Sequence, residues 1–430
     1  MAAAGKKFRT KNISQRVQKI VISPIKEMSI LADELVEQTG ANIISFGQGI
    51  PYFDTYPHIK EAIKKSIDEP DTSKYTLEPG ITELRELIAK YLEKEKGAQN
   101  VQAKKQIMVS AGCQEAAACA IAAIVDPGDE ALLLSPAFAS HIEQIIQWGG
   151  QPVFVPLDEK NNWRFDINEC EKRITPKTKI IVFSNPSNPT GKVLNQEEMK
   201  AIADLAIKHD LVIISDETYD FLTYDGVRHI SFASMPEVRD RTIICASFSK
   251  KYALTGYRVG YATADEGIID HMLKVHDALT ICAPAISQKA AIAALRGPDE
   301  PVDEAIKKFE KNRELMCAEL DKLSDIFEYQ KPQGAYYILV KVHPVRNSPP
   351  QGPSGAQSAG EISNGVNSFE LALKILNKAR VIVIPGAAFG PEGEGHIRFS
   401  FAGEPENIKK GFERLRKGLI SGFDLEKNLG

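Results

Sequence analysis

The chain is poor in the features that would send it to a membrane, a nucleic acid or an oxidising compartment. No stretch of its 430 residues approaches the roughly eighteen consecutive apolar positions that a membrane-spanning helix requires. The segment Met1 to Lys19 is basic and polar and lacks the apolar centre of a secretory signal. There is no excess of one charge: 53 Lys and Arg stand against 57 Asp and Glu, which removes the basic field that non-specific nucleic-acid binding needs. The six cysteines, Cys113, Cys119, Cys170, Cys245, Cys282 and Cys317, form no CxxC pair and no Cys/His ligand spacing. Neither a zinc site nor a disulfide framework is indicated, and no metal is expected. A soluble, cytoplasmic protein acting on small molecules is the expectation, with no nucleic-acid or membrane partner.

The length exceeds what one hydrophobic core usually serves, so more than one lobe is expected. From about Pro57 to Leu295, amphipathic helical patterns alternate with short runs rich in Val, Ile and Leu, the rhythm of an α/β sheet covered on both faces. The runs are Gln106–Ser110, Ala131–Ser135, Pro152–Pro156, Lys179–Ser184, Leu211–Ser215, Arg241–Ala246 and Arg258–Ala262. Among the helices, Thr82–Lys96 and Glu115–Val125 repeat apolar residues at helical spacing, and Gln196–His209 begins after a cap at Asn195. A helix over Asp303–Ser324 leads into a second pattern: strand Tyr336–Val342, helix Phe369–Lys378, strands Val381–Ile384 and His396–Phe401, helix Pro405–Ser421. This reads as a smaller α+β lobe. Pro344–Ser368, dense in Pro, Gly, Ser, Asn and Gln, reads as a mobile surface insertion. The expected division is an N-terminal segment over 1–55 that shares the small lobe, a large α/β domain over 56–295, and the small domain over 296–430.

Five short segments carry chemistry. Ser247-Phe248-Ser249-Lys250-Lys251-Tyr252-Ala253-Leu254-Thr255-Gly256-Tyr257-Arg258 follows an apolar strand and places a lysine among a hydroxyl and an arginine. Nearby positive charge lowers a lysine's proton affinity and makes its amine a nucleophile, and an arginine can grip a phosphate with two parallel hydrogen bonds. Asn185-Pro186-Ser187-Asn188-Pro189-Thr190-Gly191 and Ser215-Asp216-Glu217-Thr218-Tyr219 also follow apolar strands, the edge at which α/β sheets bind ligands. Ser110-Ala111-Gly112-Cys113 runs from a strand into a helix, and the exposed amides of a helix N-terminus attract anions. His396-Ile397-Arg398-Phe399 sets an arginine on an apolar strand, where burial demands an anionic partner.

The lysine segment resembles, at each defining position, the signature of the class I/II, fold-type I, pyridoxal-phosphate-dependent aminotransferases. The resemblance runs from about Ile20 to Leu419. It implies a large α/β domain with a mainly parallel sheet plus a smaller α+β domain, and pyridoxal 5'-phosphate as cofactor. Carried over residue by residue, Lys250 holds the cofactor and moves the substrate's Cα proton, while Ser247 and Arg258 bind the phosphate. Ala111, Gly112 and Cys113 add amides to that phosphate, although family members often have a hydroxyl or lysine at the third position. Asp216 keeps the ring nitrogen protonated, Tyr219 and Asn188 reach the ring oxygen, and Phe138 stacks on the ring. Arg398, with Asn188 and Gly49, takes the substrate's α-carboxylate. Tyr75 matches a tyrosine that reaches the phosphate of a neighbouring subunit, which implies a homodimer.

The resemblance is to the subgroup using aspartate or aromatic amino acids with 2-oxoglutarate. Ser23-Pro24-Ile25-Lys26-Glu27-Met28 is similar to the corresponding segment of its broad-specificity archaeal members. Two alternatives keep these residues: a lyase on the same fold, and a non-enzymatic regulator built on it. The sequence leaves open which residue reads the substrate side chain.

Overall fold

The computed structural model of the chain describes residues 13–20, 23–343 and 367–420. The insertion read at Pro344–Ser368 lies outside them except for its last two residues. Those belong to a helix: Asn367 caps it by accepting from the amides of Phe369 and Glu370, and Ser368 is its buried first residue.

Among the described residues thirteen strands make three sheets. In chain order they are β1 (Ile44–Ser45), β2 (Ile107–Ser110), β3 (Glu130–Ser135), β4 (Gln151–Pro156), β5 (Thr178–Ser184), β6 (Val212–Asp216), β7 (Thr242–Ser247), β8 (Gly260–Thr263), β9 (Phe327–Tyr329), β10 (Tyr337–Val342), β11 (Val381–Ile382), β12 (Ile384–Pro385) and β13 (His396–Ser400). Seven of them form the large sheet, in the order β2-β8-β7-β6-β5-β3-β4. All run the same way except β8, which is antiparallel to both neighbours. Both faces are buried, as the continuous apolar runs require. Leu133, Ile180, Val182 and Ile214 pack under the helices Cys113–Ile124 and Glu266–Thr280, while the alternate residues Leu132, Ile181, Phe183 and Ile213 pack under Gln196–Lys208.

One consequence of this topology builds the site. The carboxyl ends of β2, β3, β5, β6 and β7 lie on one edge, and because β8 runs against them its amino end lies there too. Residues just before β8, Arg258 among them, therefore meet residues just after the other strands.

The helix Thr82–Lys96 has the bounds its periodicity predicts, and Gly97 closes it at φ +68. Gln196–Lys208 starts from the expected cap, with Asn195 and Glu198 each bonding the other's amide at 2.9 Å. The helix read as Glu115–Val125 starts two residues earlier, at Cys113, since Gly112 at φ +91 turns the chain directly from β2 into the helix.

The smaller body holds a four-stranded antiparallel sheet, β12-β13-β10-β9. Its core joins residues from both ends of the chain: Met28, Ile44 and Phe46 pack with Tyr336, Phe399, Phe401 and Phe412. The run read as one strand, Val381–Ile384, is split between sheets. Val381 and Ile382 pair with β1, where Phe46 donates to the Ile382 carbonyl at 2.8 Å, while Ile384 pairs with Arg398. Among the described residues no helix is long and apolar enough to cross a membrane.

Candidate active site

A cavity of ≈ 390 Å³ opens between the large sheet's carboxyl edge and β13. That volume suits a small organic ligand. Lys250, Asp216, Tyr219, Asn188, Ser247, Arg258, Cys113, Phe138, Gly49 and Arg398 all line it.

Lys250 points into this cavity and donates to the Gly49 carbonyl at 2.6 Å. No acid pairs with it among the described residues. Burial pushes its pKa down to about 8, with the charges of Arg258 and Arg398 adding to the effect. Lys251, its rival in the sequence, points elsewhere: its ammonium lies over the Tyr91 ring, 4.7 Å from the centroid, and bonds the Tyr91 hydroxyl at 3.3 Å.

Asp216 ends β6 and is buried. One carboxylate oxygen accepts from the Thr218 amide at 3.0 Å and the Cys113 thiol at 3.4 Å; the other lies 3.4 Å from His141 Nε2. Burial pushes its pKa up, but His141 and the Thr218 hydrogen bonds outweigh that and hold the carboxyl below its ordinary value. It stays an anion. Next to it, Glu217 turns away from the cavity to Ser231 (2.9 Å) and His229 (3.1 Å). The Tyr219 hydroxyl meets that of Tyr337 at 2.8 Å.

Arg258 adopts the left-handed region, φ +52, and bonds the Thr255 carbonyl at 3.0 Å and the Ala111 carbonyl at 3.4 Å. Its guanidinium crosses directly over Gly112, where a Cβ would come within 2.5 Å of it. Gly260 is constrained in the same way, since its Cβ would fall 2.6 Å from the Cys113 amide nitrogen. These close approaches leave the amides at the start of Cys113–Ile124 beside a guanidinium, a cradle for an anion. Ala111 departs from expectation. Its amide, proposed as a phosphate donor, is committed to the Glu115 carboxylate, which His276 (2.8 Å) and Thr280 also bond. Glu115 and Cys119, one turn apart on a helix, and the distant His276 gather ligand-type atoms within 4.8 Å of one another, a grouping that the position of His276 in the sequence hid. With its carboxylate so engaged, this cluster reads as a brace on the helix start.

Arg398 is 2 % exposed. It donates to Asn188 Oδ1 at 2.9 Å and to the Gly47 carbonyl, and lies between the rings of Tyr337 (4.3 Å) and Phe389 (5.1 Å). Among the described residues it has no carboxylate partner, and its Nε makes no hydrogen bond. A buried guanidinium held by neutral groups and paired with no acid among the described residues fits an incoming anion.

Gly49 sits between these groups; a Cβ there would fall 1.8 Å from the Tyr337 hydroxyl. Phe138 packs edge-on against His141, centroids 5.3 Å apart. Tyr75 is not in the cavity. It is 77 % exposed, on a separate surface groove with Leu77 and Lys289.

A comparison with known proteins places this arrangement. The family profile for aminotransferase class I and II matches residues 41–415. The chain belongs to that family. It is a pyridoxal-phosphate-dependent aminotransferase, moving amino groups, and its fold is the α/β fold type I of such enzymes. It is 34 % identical over 409 residues to the aromatic-amino-acid aminotransferase 2 of Thermococcus litoralis, covering 95 % of this chain and 98 % of that one. It is 37 % identical over 382 residues to the aspartate aminotransferase of Pyrococcus abyssi, covering 88 % and 92 %. Among solved structures, the aspartate aminotransferase of Thermus thermophilus with maleate superposes with a TM-score of 0.84 at 31 % identity, over 95 % of this chain and 99 % of that one.

The residues fit the family's cofactor. The amide-and-arginine cradle suits a phosphate, the buried Asp216 anion suits a protonated ring nitrogen, and the unpaired Lys250 amine suits a carbonyl carbon. Sequence reasoning missed His141, Tyr337 and Phe389. A signal existed for His141, which lies in the first turn of the helix that Phe138 precedes, and the two rings meet edge-on.

Proposed function

We propose that this aminotransferase takes the amino group of aspartate or an aromatic amino acid and passes it to a 2-oxo acid such as 2-oxoglutarate, in two half-reactions. The observation that carries the reading is Arg398, a buried cation without an acid, opening on the same cavity as the Lys250 amine. In this reading Lys250 carries the cofactor. Gly112, Cys113, Ser247 and Arg258 would hold its phosphate; Asp216, braced by His141, would keep its ring nitrogen protonated, and Tyr219, Asn188 and Phe138 would hold its ring. When bound, the cofactor supplies an electron sink for the bond broken at Cα.

The chain's own part follows from geometry and charge. Arg398 and Asn188 orient the incoming α-carboxylate. The Lys250 amine, with a pKa near 8, is a base matched to neutral pH and takes the Cα proton. The flanking rings of Tyr337 and Phe389 exclude water and strengthen the ion pair. The donors are supported by the relatives, one named for aromatic amino acids and one for aspartate; the Thermus thermophilus structure was solved with maleate, a dicarboxylate.

We also infer a cytoplasmic homodimer. Six free cysteines support a reducing compartment. The exposed Tyr75, Leu77 and Ile67, 77 %, 64 % and 65 % accessible, support a surface that a second copy covers, from which Tyr75 would reach the partner's phosphate.

The test is a panel of amino donors against the purified holoenzyme, each followed as a half-reaction by the cofactor's spectrum, with 2-oxoglutarate added afterwards. Aspartate or phenylalanine should convert the spectrum and 2-oxoglutarate should restore it. Failure of every donor, or release of ammonia and pyruvate in place of a 2-oxo acid matching the donor, would falsify the reading.

A further inference from the structure

The cavity has a stretch of lining to which the proposed function gives no task. Four cations line it: Lys250, Arg258, Arg398 and Lys26. The first three have tasks in the proposed function. Lys26 stands apart from them, in the first turn of the helix Pro24–Thr39, with Ser23, Ile25, Ile50 and Glu143 along the same wall. For a substrate whose carboxylate lies on Arg398 and whose Cα lies at Lys250, this wall offers its side chain a cation that has no other task in the proposed function.

Lys26 holds no ion pair among the described residues, although Glu143 faces the same space from the helix Ala139–Gln147. Glu143 is half-buried. Burial pushes its pKa up, while the Lys26 charge and the Ser23 hydroxyl pull against that rise. The two side chains thus sense each other without closing a contact. A helix N-terminus adds a further preference for negative charge at the position of Lys26. The wall is also apolar between its charges, through Ile25, Ile50 and the methylenes of Lys26 itself.

We infer that Lys26 is the residue that reads the substrate side chain, binding the second carboxylate of a dicarboxylic amino acid or oxo acid, with Glu143 as the internal carboxylate that this group displaces. The inference rests on the proposed transamination at Lys250 and Arg398 and adds to it the substrate class. A dicarboxylate draws the ammonium inward, away from Glu143. An aromatic side chain lies against Ile25, Ile50 and the lysine stem, leaving the ammonium facing Glu143. One flexible lysine then accommodates both kinds of donor, where a rigid buried arginine would select one.

The experiment titrates the holoenzyme with two unreactive ligands, succinate and 3-phenylpropionate, following the cofactor absorbance, in the natural protein and in Lys26→Met, Lys26→Arg and Glu143→Gln. Lys26 is exposed on its helix, so its replacement leaves the core intact. Lys26→Met should lower the ratio of succinate to 3-phenylpropionate affinity about tenfold, the worth of one charge-assisted hydrogen bond. Lys26→Arg should keep most of the ratio, and Glu143→Gln should raise it. An unchanged ratio in Lys26→Met, or natural protein that converts phenylalanine but binds no succinate, overturns this assignment alone. Natural protein that converts no amino donor overturns the proposed function with it.

Discussion

The two walls of the cavity solve opposite problems. On the large-sheet wall the charges that would face a resident group are held: Asp216 by Thr218, Cys113 and His141, and Arg258 by the carbonyls of Thr255 and Ala111. On the small-sheet wall Arg398 is buried among neutral groups, with two hydrogen bonds to oxygens and an Nε that has none. Many weak, mutually supporting contacts suit a resident group that must keep its position through every turnover. A single under-satisfied cation suits a ligand that must arrive and leave, because its desolvation cost is offset only while a carboxylate is present. The difference separates a permanent site from a transient one.

The largest effect should come from the residue between the walls. Lys250→Ala should remove the visible band of the lysine-bound cofactor and cut transamination by roughly 10⁴-fold, the upper end of what a positioned proton-transfer group contributes. Absorbance and single-turnover rates check this, and a variant keeping both band and rate would break the comparison at its centre. Next in size is the transient wall. Arg398→Met should weaken amino-acid binding by about 3 kcal/mol, roughly a hundredfold in Kd, because a buried carboxylate then lacks its partner. The band should persist. If the band were lost as well, the walls would not be functionally separate.

How much of this was readable in the sequence follows from the same division. Lys250, Asp216, Asn188 and Gly112 each sit in a short contiguous segment directly after an apolar strand, so strand and chemistry are read together. The residues that complete the site arrive from distant segments. Tyr337 comes beside Arg398 only through the antiparallel register of β10 and β13, in which Leu339 faces Arg398 and Tyr337 faces Ser400. Lys26 and Glu143 share one cavity only because the helices Pro24–Thr39 and Ala139–Gln147, far apart in sequence, both reach its lining. β9 escaped notice for another reason: three residues are too few to display a period of two. For Ala111, sequence order shows that an amide is near a helix start but not that it donates to the Glu115 carboxylate.

The finest distinction between the walls is electrostatic and can be read from pH. In the protein without cofactor, the Lys250 amine has a pKa of about 8 against an ordinary value of 10.5, lowered first by burial and then by Arg258 and Arg398. Below pH 8 the lysine is protonated in both folded and unfolded chains, and the folded state bears the cost of a buried ammonium. Between about 8 and 10.5 the folded chain has released this proton while the unfolded chain keeps it, so this group's contribution to stability rises with pH across that window. Cofactor capture needs the neutral amine, so its rate should climb with pH and level off above about 8. Arg258→Met removes one of the two positive neighbours and should move the midpoint of that climb to higher pH, besides lowering the plateau through the lost phosphate contact. Arg398→Met should move the midpoint in the same direction, by less, and leave the plateau in place. Stopped-flow absorbance across pH 6 to 10 (about the range set by this shift) checks both. A midpoint that stays fixed in both variants would mean that burial alone lowers the lysine, and that the two walls do not act on it through their charges.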